Sequence, residues 1–156
     1  MPKIVIETRI AAPRERVFDL SRDVDAHAES SAFTGERVVE PGRTSGLLEL
    51  GDLLTFEGRH LGVRQRVTVR ITEMDPPRRY VDVGVRGALR ELHHVHEFLD
   101  DGDGVTLMRD TVTWRSPFGI LGRAADALFV ARHMRWFVSE KQGRLKAMAE
   151  ERFRLR

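Results

Sequence analysis

Ile4, Ile6, Thr8 and Ile10 alternate with Val5, Glu7 and Arg9 at the start of the chain. That period of two predicts a half-buried strand. In the following AAPRERVFDL, Pro13 sits where a short helix begins, and DVDAHAES predicts a second. The glycine-punctuated TGERVVEPGRTSGLLELGD reads as loop, short strand and loop. From Leu53 to Trp114 the period of two returns in LLTFEGRH, RQRVTVRITEM, RYVDVGV, RELHHVHEF and VTLMRDTVTW. The connections between these runs are too short for parallel crossovers, so the strands form an antiparallel meander. Pro76 and Pro77 stop one strand, while Gly102 and Gly104 supply the positive φ angles of a hairpin.

After Pro117 the period becomes helical. Leu121, Ala124, Ala125, Leu128, Ala131, Val138, Leu145 and Met148 recur at spacings of three, four and seven. One long C-terminal helix is predicted, interrupted by Gly143. About seven strands, two short helices after the first of them and one long final helix make an α+β chain. Its sheet buries an apolar face only by curving around that helix, an architecture called a helix-grip. At 156 residues the chain is the length of a single domain, spanning 1–156.

Alternation assigns the inward face of each strand. The expected inward rows are Leu54, Phe56, Gly58 and His60; Gln65, Val67, Val69 and Ile71; Val81, Val83 and Val85; and Leu92, His94, His96 and Phe98. In the last strand the row is Thr106, Met108, Asp110, Val112 and Trp114. Thr55, Glu57, Arg59, Arg66, Thr68 and Arg70 read as solvent-facing, as does His93. A hairpin centred on Gly102 sets Asp110 opposite His94 and Met108 opposite His96. A carboxylate facing an imidazole among apolar walls makes a polar island, since burial penalises either charge alone. Such a pair either fixes register or meets the polar end of an apolar ligand.

Composition narrows the chemistry. The chain has no cysteine, which removes disulfides, thiolate metal sites and cysteine nucleophiles. Its N-terminus lacks the uninterrupted apolar run of a secretory signal, and a cytoplasmic location is the expectation. Net charge is only +2, but residues 132–156 hold eight Lys or Arg against three acids. That segment reads first as the solvated face of a terminal helix, and as a possible transient contact with anionic membrane. No nucleic-acid-binding signature is present. The serines lack a GxSxG elbow, and no glycine-rich phosphate cradle precedes a helix. His94 and His96 share one strand face and could reach one ion, with Asp110 as third ligand. No HExxH or similar motif accompanies them, so neither metal nor cofactor is expected.

Four segments carry a resemblance: APRERVFDLSRDVDAH, GDLLTFEGRHLGVRQRVTVRITEMDPPRRYVD, VRGALRELHHVHEF and SPFGILGRAADALF leading into RHM. In this order they resemble the SRPBCC (START-like) superfamily over nearly the whole chain, and within it the bacterial polyketide cyclase/dehydrase-like and ligand-binding proteins. The resemblance implies a deep apolar cavity between sheet and helix for a small hydrophobic molecule such as a lipid, quinone, polyketide or hormone. It carries over no catalytic position. The expected cavity residues are Phe56, His60, Val69, Val83, Leu92, His94, His96, Met108, Asp110, Val112 and Trp114 from the strands and Leu128 from the helix. Gln65 flanks His60, Arg86 stands at the mouth, and Met134, Trp136 and Phe137 are further candidates for covering a ligand. A binding or transport role is the expectation. The alternative is a cyclase or dehydrase in which His94 and Asp110 act as an acid-base pair.

Overall fold

The computed structural model describes residues 1–154. Strand β1 (Lys3–Ile10) leads into helices α1 (Arg14–Ser21) and α2 (Val24–Ser31). Pro13, in extended conformation, sets the entry to α1. Asp23 caps α2 by accepting from the backbone N–H groups of Asp25 and Ala26. A 3-10 turn and β2 (Arg37–Val39) precede the meander of β3 (Leu53–His60), β4 (Val63–Asp75), β5 (Arg79–Arg86), β6 (Glu91–Asp100) and β7 (Thr106–Arg115). The antiparallel sheet has the order β1-β7-β6-β5-β4-β3-β2. The chain closes with α3 (Gly119–Ala125), a π-helical stretch over Asp126–Val130, and α4 (Ala131–Arg154), continuous from one to the next.

The final helix runs along β1 in the same direction. Val138 packs with Ile4, Val112 and Trp114. Further on, Gln142 donates to the Ile6 carbonyl, Lys146 to that of Arg9, and Glu150 accepts from the Ala11 amide. Towards the end of β1 the sheet, α1, α2 and α4 are solidly packed through Ile10, Phe18, Leu48, Phe98, Leu145 and Ala149. Towards its beginning the sheet and helix part, and the space between them is open. Among the described residues no helix is long and apolar enough to cross a membrane.

Three expectations change. The β6–β7 loop centres on Asp103, not Gly102, because Gly102, Asp103 and Gly104 all adopt positive φ. This wider loop is closed by Asp101 and Val105. His96 therefore pairs with Asp110, His94 with Val112, and Phe98 with Met108. The faces survive because a one-residue move of the loop centre shifts the partner by two. In β5 the inward row is Tyr80, Asp82 and Gly84, paired with β6 through Tyr80↔His96 and Asp82↔His94. Val81 and Val83 lie on the outer face, since the register with β6 and not the apolar content of the row sets which side is inside. Thr55 and Thr68, expected in solvent, are buried. They bond to each other through their hydroxyls, and Thr55 also donates to the Pro41 carbonyl of the segment folded over that face.

Candidate functional site

The open space is a cavity of about 820 Å³, within the size range of pockets that hold small organic ligands, roughly 300–1,000 Å³. Its walls are largely apolar: Phe56, Val67, Val69, Leu92, Met108 and Val112 from the sheet, with Val130, Met134, Phe137, Val138 and Leu145 from the helix. His60, His94, His96 and Asp110 also line it. Three of the expected residues do not. Trp114 is fully buried beside the cavity, its indole N–H donating to Asp126 Oδ1 at 2.9 Å. Leu128 is exposed because the π-helical stretch inserts a residue and turns Asp126 inward instead. Val83 faces outward with the outer row of β5. Trp136 is also outside the lining, whereas Gln65 and Arg86 belong to it.

A polar island stands in one wall. His96 lies between two carboxylates, Nε2 at 2.8 Å from Asp82 Oδ2 and Nδ1 at 2.8 Å from Asp110 Oδ1. His94 Nε2 is 3.1 Å from the same Asp110 oxygen. The two contacts to Asp110 Oδ1 are close electrostatic contacts and not aligned hydrogen bonds. The His94 and His96 rings stack at 3.8 Å, and Tyr80 stacks on the other side of His96 at 4.1 Å. The helix completes the island: Gln142 Nε2 donates to Asp110 Oδ2 at 2.6 Å, while Gln142 Oε1 accepts from the Thr8 hydroxyl. From the adjacent position on the helix, Lys141 Nζ donates to His27 Nδ1 at 2.7 Å and lies over the rings of Phe56 and Phe137.

The charge states follow from burial set against these partners. Burial opposes a charge on His96, but Asp110 and then Asp82 outweigh it and push its pKa up to about 9. Burial would raise the Asp110 carboxyl, yet the two imidazoles, His96 foremost, hold it well below the ordinary carboxylate range. Asp82 is likewise lowered against its own burial, chiefly by the hydrogen bond from His96. His94 is lowered by burial and by the neighbouring charge of His96. His27 is lowered by burial and by Lys141, and burial also lowers Lys141. At neutral pH the island thus holds an imidazolium between two carboxylates, with His94 and His27 as neutral imidazoles.

His60 does not join this island. Its Nε2 contacts Glu36 Oε2 at 3.0 Å, and its Nδ1 faces His133 Nε2 at 2.8 Å. Gly58 makes that placement possible, since a Cβ there would come within 2.9 Å of the Glu36 backbone. Asp82, His94 and His96 each bring a potential metal-ligand atom within 4.8 Å of the others. Asp82 and His96 already bond to each other, and the imidazolium of His96 already supplies positive charge there, so the donor set does not favour a cation. Asp82, Lys141, Gln142, His27, Glu36 and His133 escaped the reading of the sequence. For Gln142 a signal was present: it falls in the stripe of Val138, Leu145 and Ala149, spaced for the buried face of the helix.

A curved sheet gripping a helix, with an apolar chamber and a buried polar island between them, defines a helix-grip protein with a cavity. The chain belongs to the family described as polyketide cyclase/dehydrase and lipid transport, whose model matches residues 1–150. No curated protein matches it in sequence. Among solved structures, it is similar to the TTHA0849 protein of Thermus thermophilus, with TM-score 0.76 and 21% identity over 94% of this chain and 95% of that one. It is similar also to the Zhui aromatase/cyclase of Streptomyces sp. R1128, with TM-score 0.76 and 14% identity over 97% and 94% of the two chains. A third is the major latex-like protein 151 of Panax ginseng, with TM-score 0.70 and 11% identity over 95% and 97%. At these identities the likeness is one of fold.

Proposed function

We propose that the protein binds and carries a small hydrophobic molecule, of lipid, quinone or polyketide-like character, that bears one polar end. The observation that carries this reading is the cavity of about 820 Å³, apolar over most of its wall and polar at one island. An apolar body gains from leaving water, and a hydroxyl, carbonyl or carboxylate end finds a donor in Lys141, which lines the same chamber. The test is thermal unfolding with saturating fatty acids, naphthoquinones and aromatic polyketides. A ligand that binds the folded state alone stabilises it by RT ln(1 + [L]/Kd), about 2.7 kcal/mol at a hundredfold excess over Kd. Leu92→Trp, which narrows the cavity beside the polar island, should reduce that shift. No stabilisation by any of these compounds sinks the reading.

A second reading is favoured by one feature, the neutral His94 held against Asp110 beside a charged His96. Such an imidazole can accept a proton from an activated methylene while Asp110 and His96 hold its position, as a cyclase or dehydrase step requires. Under this reading His94→Ala abolishes turnover of a bound polyketide-like substrate and spares its binding. Equal loss of both favours the carrier.

A further inference from the structure

The antiparallel order places the β3–β4 hairpin, the β5–β6 loop and the β7–α3 connection at one end of the sheet. All three line the cavity, through Leu61, through residues 85–90, and through Pro117 and Phe118. This end is therefore the mouth. It is also where the described residues expose their large apolar side chains most fully, with Phe118 and Ile120 each 80% accessible and Leu121 77%. Leu61 and Val85 are exposed on the facing tips. Leu61, Val85, Phe118 and Leu121 thus belong to the outer surface and to the cavity wall at once.

The charges beside them that stand outside ion pairs among the described residues are of one sign. Arg86, Arg90 and Arg123 are exposed and have no carboxylate partner among the described residues. The acids of this end are engaged: Glu57 by Arg37, Arg64 and Arg66, Glu91 by Arg115, and Asp126 by Trp114 and Ser116. The last turns of α4, with Arg152 and Arg154, lie at the opposite end, where Lys146 and Arg152 meet Glu150 and Glu29. Residues 155 and 156 of the basic segment are outside those described.

We propose that the mouth end is a docking surface for an anionic lipid bilayer. Phe118, Ile120 and Leu121 enter the interface, and Arg86, Arg90 and Arg123 contact the phosphate layer. The apolar rim then joins the hydrocarbon region to the cavity, so a hydrophobic molecule passes between them without crossing water. The unpaired arginines favour this occupant over an apolar protein surface. The site of membrane contact is thereby the mouth and not the basic end of the helix. The surface features stand without the ligand, so a failure to find a ligand leaves this proposal intact.

The test is co-sedimentation of the full chain with phosphatidylcholine vesicles, with and without phosphatidylglycerol. Binding should need the anionic lipid and weaken as salt rises. Ile120→Ser, at a position outside the cavity lining, should reduce binding about tenfold. Arg123→Glu should reduce it at least about fivefold, and Arg152→Glu should leave it unchanged. Thermal melts of each variant, matched to wild type, exclude misfolding as the cause. The proposal is overturned if the chain ignores anionic vesicles, if Arg152→Glu and not Arg123→Glu abolishes binding, or if Ile120→Ser instead disrupts a concentration-dependent dimer.

Discussion

Replacing His96 with Gln tests the central electrostatic feature of the cavity. The groups facing His96 are Asp82 and Tyr80 from β5, Asp110 from β7 and His94 on its own strand, with Lys141 and His27 also in the chamber. The imidazole titrates at 6.5 in a free chain and at about 9 in the folded one. A group whose folded pKa is raised contributes stability in full below its unfolded pKa and loses it as pH rises through the folded value. At about 1.36 kcal/mol per pH unit, the interval from 6.5 to about 9 corresponds to about 3 kcal/mol. His96 is almost fully buried, so solvent does not screen this sum. Lys141 acts in the opposite sense, because its lowered pKa returns stability as pH rises towards 10.5, but it does so in both proteins. Urea unfolding of wild type and His96→Gln at about pH 6.5 and about pH 9.5 isolates the difference. Wild type should lose about 3 kcal/mol more than the variant across that interval, at unchanged m-value. If the two fall in parallel, within about 0.5 kcal/mol, His96 is not the protonated centre and the charge assignment of the island is wrong.

Two further outcomes follow from the geometry. Gln142→Leu leaves Asp110 Oδ2, the Thr8 hydroxyl and the Ile6 carbonyl without their helix partner. It should cost about 3 kcal/mol in urea unfolding, more than an ordinary lost hydrogen bond because one acceptor is a buried carboxylate; a cost below about 1 kcal/mol would show that the Gln142 clamp is dispensable. Gly122→Ala places a Cβ 2.1 Å from the Pro117 carbonyl oxygen, and must push the β7–α3 connection outward. About 1–3 kcal/mol of destabilisation is expected, together with faster amide exchange at Phe118 and Gly119. Wild-type stability and exchange would mean that the start of α3 packs less tightly than it stands here.

The periodicities alone determined the seven strands, the two short helices, the long final helix and the antiparallel pairing, because apolar spacing and turn chemistry are local properties of the chain. They also placed Leu92, His94 and His96 inside and His93 outside, since alternation along one strand needs no partner. What only the tertiary structure decided was which residues meet. The partner of Asp110 depended on three consecutive positive-φ residues at the tip of one loop, and Asp82 was turned inward by register with β6, against the hydrophobicity of its own strand. Leu128 left the cavity because a π-helical stretch changed the phase of an otherwise regular stripe. Gln142 joined the polar island, Lys141 met His27, and His133 met His60, through packing between residues far apart in sequence. Charges compensated across such distances leave no periodic trace: the cost of burying each is offset by a neighbour that only the folded chain supplies.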